Sequence, residues 1–219
     1  MKDEVSNFKN KFRRILFVVM LVFSSFVQHR SSFAAVDSAL VAKAEKYLNS
    51  ITGLTGDFAQ TANGKTDSGV FSMLRPGRVR LDYKKTPIQL IADGKDLYFF
   101  DRDLDQITTV PLNSTPAGIL IRKKIDLKNA DIVVSDTHAG KGDFTLDMHL
   151  KDAMGLGRMS VSFNDNPVKL KSWVVTDATG TKTEVSFSGL KTKADFGKDY
   201  FQIQRHKTQS TGGGDKFYE

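Results

Sequence analysis

The chain has 219 residues, no cysteine, and 32 basic against 25 acidic side chains, a net charge of +7. Without cysteine there is no disulfide framework, no thiolate site and no acylation of the chain itself at a cysteine behind a signal peptide. The first 34 residues hold six of the basic and two of the acidic residues, so the remainder carries only +3, dispersed along the chain, which argues against a nucleic-acid partner.

Residues 1–34 read as a signal peptide. Lys9, Lys11, Arg13 and Arg14 form a basic start, Ile15 to Val27 an apolar core, and Ser32-Phe33-Ala34 a cleavage site that makes Ala35 the mature N-terminus. That core falls short of the roughly 20 residues needed to span a bilayer. The expected domain runs over 35–205, with a flexible tail over 206–219.

Val36 to Ile51 has apolar residues at helical spacing (Val36, Leu40, Ala44, Tyr47, Leu48, Ile51), with Asp37 or Ser38 to cap it and Gly53 just beyond its end. From Leu54 the period changes to two. Strands are expected over 54–60, 69–74, 79–83, 88–92, 97–101 and 106–110. Turns fall at Asn63-Gly64, at Arg75-Pro76-Gly77-Arg78 (type II) and at Asp93-Gly94. Between Pro111 and Pro116 the pattern breaks. Ser114 or Thr115 can cap a short helix with Pro116 at its first position, and its apolar run Ala117 to Ile121 should be buried or cover something apolar. Ile125 to Asp131 could be a second short helix. Strands return over 132–137, 143–150, 158–163, 169–177 and 183–190, with Tyr200 to Ile203 as one further candidate.

Chemistry-bearing groups are sparse. The histidines (His29, His138, His149, His206) lie at no metal-ligand spacing. Asp101, Asp103 and Asp105 resemble the start of a calcium loop, but Gln106 stands where glycine is needed and no glutamate closes it, so a solvated hairpin tip is the better reading. No pair of groups is placed for acid–base or nucleophilic work, and the chain reads as a non-enzyme without cofactor. On the strands, Val79, Leu81 and Tyr83 share one face, while Arg78, Arg80 and Asp82 face water. On the preceding strand Phe71 and Met73 share a face with Arg75, which alternation points inward. An inward arginine needs acceptors, and the free carbonyls at the end of a short helix would serve; a turn arginine reaching solvent is the alternative. Which face Leu97 to Phe100 present inward is open, since all four are apolar.

Gly69-x5-Arg75-Pro76-Gly77-x5-Tyr83, then Pro87, then Ala92-Asp-Gly-Lys-x-Leu-Tyr-Phe-Phe-Asp101 and Gln106, resembles the core signature of the LolA family of periplasmic lipoprotein carriers. Leu54-x3-Phe58-x-Gln60 and Ser114-Thr-Pro-Ala-Gly-Ile-Leu120 match two further stretches, and the resemblance runs over residues 36–190. It implies an incomplete, half-open antiparallel β-barrel of 10 to 11 strands with an N-terminal helix and a short helical lid. It also implies a monomeric periplasmic chaperone that takes acylated lipoproteins from an inner-membrane ABC transporter to an outer-membrane acceptor or the outer membrane itself. Arg75 with Pro116 would latch the lid. Phe71, Met73, Val79, Leu81, Tyr83, Leu90, Ile119 and Leu120 would line the acyl-chain cavity. Chain content departs from the pattern after Leu190, and Ser72 and Leu81 stand where bulkier residues are common. A lipid-sensing regulator on the same fold that binds an anti-sigma factor is the alternative, and the outer-membrane acceptor itself a lesser one.

Overall fold

The computed structural model describes residues 36–128, 131–151, 157–193 and 195–204; the expected signal peptide and the tail lie outside these. Helix α1 (Ser38–Ser50) is capped by Asp37, whose carboxylate accepts from the N–H groups of Ala39 at 2.8 Å and Leu40 at 3.3 Å. This satisfies two donors that the helix start leaves open. Val41, Ala44 and Leu48 form its buried stripe. Gly53, expected just past the helix, is already the first residue of the sheet.

Eleven strands follow: β1 (Gly53–Ala62), β2 (Lys65–Leu74), β3 (Arg78–Tyr83), β4 (Ile88–Asp93), β5 (Asp96–Asp101), β6 (Gln106–Pro111), β7 (Ile132–Ala139), β8 (Asp143–Leu150), β9 (Arg158–Asp165), β10 (Val168–Thr176) and β11 (Lys182–Thr192). Their order is β6-β5-β4-β3-β2-β1-β11-β10-β9-β8-β7, antiparallel throughout, so β1 and β11 meet at the centre while β6 and β7 are open edges. The expected incomplete barrel is therefore an open sheet. Consecutive strands pair through short turns wherever the turn residues predict it. Asn63 and Gly64 both take positive φ, 50° and 72°, the conformation a two-residue hairpin requires.

Register fixes the faces. Phe71 pairs with Leu81, Leu81 with Leu90, and Leu90 with Phe99, so these side chains share the inner face, the one α1 covers. The question left open for β5 is thereby answered: Leu97 and Phe99 point inward, Tyr98 and Phe100 outward. Inner-face residues form two apolar clusters. One gathers Val41, Ala44 and Leu48 of α1 with Phe144, Leu146, Met148, Met159, Val161 and Phe163. The other joins Ile51, Leu54, Phe58, Phe71, Met73, Val79 and Leu81. Tyr47, Trp173, Phe187 and Leu190 pack against both.

Three expectations are corrected. Residues 125–128 form no helix: 125–126 are irregular and 127–128 a turn, Ile125 and Leu127 are buried, and Asn49 and Glu45 of α1 bind their N–H groups. Tyr200 to Ile203 is not a strand but a turn folded back onto the outer face of the sheet. Tyr200 meets Ser72 Oγ at 2.9 Å and its carbonyl accepts from Arg80 at 2.8 Å, so Arg80 does not simply face water. Ser72, Gln89, Ile91 and Phe100 on that face are all buried, as is Phe201.

Candidate functional site

The connection between β6 and β7 crosses the inner side of the sheet as two 3-10 helices, η1 (Leu112–Ser114) and η2 (Pro116–Ile121), followed by an irregular strap over 122–128. Pro116 opens η2 as its fixed φ favours, with Thr115 in the capping position but contributing no side-chain cap bond. The short helix expected from Pro116 is thus η2, a 3-10 turn, with η1 as an additional turn ahead of it. Contiguous apolar residues are buried on several sides: Ile119 and Leu120 belong to the cluster beneath α1, whereas Ile121 and Leu112 belong to the cluster of Phe71 and Leu81.

The turn between β2 and β3 is where α1, η2 and the sheet meet. Gly77 has φ +76°, and a Cβ there would lie 2.5 Å from Gly94 Cα in the neighbouring turn, so only glycine fits. Its N–H donates to Ile121 O at 2.7 Å, tying the end of η2 to the turn. Arg75 N–H donates to Thr52 O at 2.7 Å, tying the same turn to the residue after α1. The Arg75 guanidinium then spans both elements. Nε donates to Arg122 O at 2.8 Å and Nη2 to Lys123 O at 3.4 Å. Nη1 donates to Leu48 O and, at 3.1 Å, to Ile51 O, while Nη2 reaches Asn49 Oδ1 at 3.2 Å. Leu48 O also accepts from the Ile51 N–H at 3.4 Å at the end of α1, and the planar fork of donors suits several acceptors at once. Burial pulls the guanidinium below its ordinary pKa.

Asn49 and Glu45 extend the clasp. Asn49 Nδ2 donates to Ile125 O at 2.7 Å and its Oδ1 accepts from Ile125 N–H at 2.9 Å, a reciprocal pair that copies a strand bond. Glu45 Oε2 accepts from Leu127 N–H at 2.8 Å. Spaced four residues apart, both lie on one side of α1. Sequence reading missed them, since polar residues between the apolar positions of a helix ordinarily face solvent. Their only signal is that they flank Leu48 on a helix followed at once by a sheet.

Residues 49–204 match the family described as outer membrane lipoprotein carrier protein LolA. The chain belongs to the LolA family. An outer-membrane lipoprotein carrier protein of Xanthomonas oryzae pv. oryzae is 32% identical over 184 residues, covering 78% of this chain and 85% of that one. Its counterpart in Neisseria meningitidis serogroup B is 28% identical over 179 residues, with 78% and 85% covered. A LolA superfamily protein from Nitrosomonas europaea, of known crystal structure, is 12% identical with a TM-score of 0.43, covering 78% of this chain and 99% of that one.

In this LolA family member the residues expected to line a cavity are divided. Phe71, Met73, Val79 and Leu81 are buried together, with Tyr83 and Leu90 packed against them. Ile119 and Leu120 lie in the adjoining cluster, and the residues of this connection that join Phe71's group are Leu112 and Ile121. Arg75 contacts the C-terminal side of η2, while Pro116 sits at its other end. Tyr83 donates to Gln60 Oε1 at 2.8 Å and meets Phe58 edge-on at 5.0 Å; burial pushes its phenol up to about 12. Phe99, on the same inner face, is 42% exposed. Asp101 accepts from the N–H groups of Asp103 and Leu104, capping the β5–β6 turn. No helix among the described residues is long and apolar enough to cross a membrane.

Proposed function

We propose that the protein is a periplasmic chaperone. It takes the acyl chains of lipoproteins released by an inner-membrane ABC transporter and carries them to the outer membrane or an acceptor there. The observation that carries this reading is the Arg75 clasp: one guanidinium joins the end of α1 to the strap behind η2, over a sheet face that is apolar across both halves. Acyl chains gain about 0.8 kcal/mol per CH₂ removed from water, so a carrier needs a large apolar surface with few fixed polar contacts. A closed state that buries the same surface against its own lid competes with cargo and so makes release possible. The names borne by the relatives agree with this role.

In the mechanism, the lid and α1 part from the sheet at the transporter. Phe71, Met73, Val79, Leu81, Tyr83 and Leu90 line the space opened, with Ile119 and Leu120 on its moving wall. Closure on Arg75 follows hand-over. Mass spectrometry of the protein purified from periplasm without detergent tests the reading. Acylated lipoproteins bound one to one are expected; free lipid or an anti-sigma-factor fragment in their place would overturn it.

A further inference from the structure

A cleft of about 630 Å³ opens beside the clasp, between the β4–β5 turn and the strap. Leu112, Ile119 and Ile121 lie buried beneath it, and its edge carries Lys95, Asp96, Arg122 and Lys123. Arg122 is held by Asp131 at 2.7 Å, and its carbonyl is bound by Arg75. The lysines are different. Lys95 has a side chain 89% exposed and, among the described residues, pairs with Asp96 alone, 3.9 Å away. Lys123 and the adjacent Lys124 are exposed and make no ion pair among the described residues. The β4–β5 turn and the strap thus bring Lys95 and Lys123 to the rim of one opening, with Lys124 next along the strap.

We propose that the rim of this opening docks on a bilayer carrying anionic phospholipid, the phosphate headgroups meeting Lys95, Lys123 and Lys124. Lysine is a point charge on a flexible stem, which suits a fluid anionic surface better than a fitted protein interface. The strap that would touch the bilayer is the strap whose carbonyls hold Arg75. Membrane contact therefore acts on the segment that keeps the lid closed.

Co-flotation of the exported protein with phosphatidylethanolamine vesicles, with and without phosphatidylglycerol, tests this. Binding is expected only with phosphatidylglycerol and should be lost at high salt. The triple variant Lys95→Gln, Lys123→Gln, Lys124→Gln should lower partition about 100-fold, the loss expected for three basic side chains at an anionic surface. A control triple of the same net charge, at the exposed Lys65, Lys85 and Lys191, should leave it unchanged. Equal loss in both triples, or no binding at low salt, overturns the proposal. So does normal vesicle binding by the first triple accompanied by failed hand-over to an acceptor protein in vesicle-free solution, which would make the cleft a site for an acidic protein surface. Lipoprotein co-purification is read separately, so the carrier reading stands or falls on its own result.

Discussion

Arg75 is costly to bury and useful for the same reason. Its donors replace water at carbonyls of α1 and the strap, beside the Asn49 and Glu45 bonds between them, so removing it weakens the closed state more than the sheet. Arg75→Leu should accept cargo and fail to release it, with hand-over in a transfer assay slowed at least about tenfold, the effect of roughly 1.4 kcal/mol on the open–closed balance. Normal hand-over would remove Arg75 from the mechanism. Asn49→Asp keeps the acceptor for Ile125 N–H and loses the donor to Ile125 O, at about 1 kcal/mol. Hydrogen exchange at Leu127 and its neighbours should then speed up while β1 and β2 remain protected. Tyr83 offers a pH test. Its folded phenol is raised to about 12 against an ordinary 10, so the folded state holds the proton more tightly. The corresponding stability is complete below pH 10 and is lost as pH rises from about 10 to about 12. Tyr83→Phe should flatten that part of the stability–pH curve, seen by denaturant melts at alkaline pH.

At the scale of elements, the β2–β3 turn is the point on which lid and helix are hung. Gly77→Ala would force Cβ against the Gly94 backbone at a positive φ, and should lower stability by about 2 kcal/mol while loosening η2, whose last carbonyl Gly77 binds. A melting point unchanged from the parent would show that the two turns can separate freely. The strap illustrates why local sequence misleads. Ile125 to Asp131 has residues a helix tolerates, yet Asn49 bonds both backbone groups of Ile125 and Glu45 accepts the Leu127 N–H, and tertiary hydrogen bonds outweigh weak propensity. The same holds for Tyr200 to Ile203, whose alternation suggests a strand; its aromatic residues pack with Phe196 at about 5 Å and dock on Ser72 and Arg80.

Across the whole molecule, one sheet is covered on both sides: α1 and the lid on the inner face, residues 195–204 on the outer face of β2 to β4. Ending the chain after Thr192 should uncover Ile91 and Phe100 and lower the melting temperature by several degrees, consistent with the loss of one to two kcal/mol of apolar burial. Retained stability would show that segment to be dispensable to the fold. The inner face behaves differently, since its two clusters adjoin through Trp173, Phe187 and Leu190, with Trp173 and Phe187 rings 4.6 Å apart. On the proposed mechanism, opening parts them along this seam, where the shared side chains are only partly buried.

The amino-acid sequence determined the strand order along the chain, the hairpin turns, the capped first helix, the break at Pro111 to Pro116, and the inward parity of Phe71, Met73, Val79, Leu81 and Tyr83. All of these are local: period, turn chemistry and proline act within a few residues. It also singled out Arg75, because a charge in an apolar alternation stands out. It could not decide the face of Leu97 to Phe100, since an all-apolar strand has no parity until a neighbour sets its register. Nor could it assign Asn49 and Glu45 to the strap or Tyr200 to Ser72. Those roles depend on partners about 75 to 130 residues away, brought close only when the sheet has folded and its two covers have closed on it.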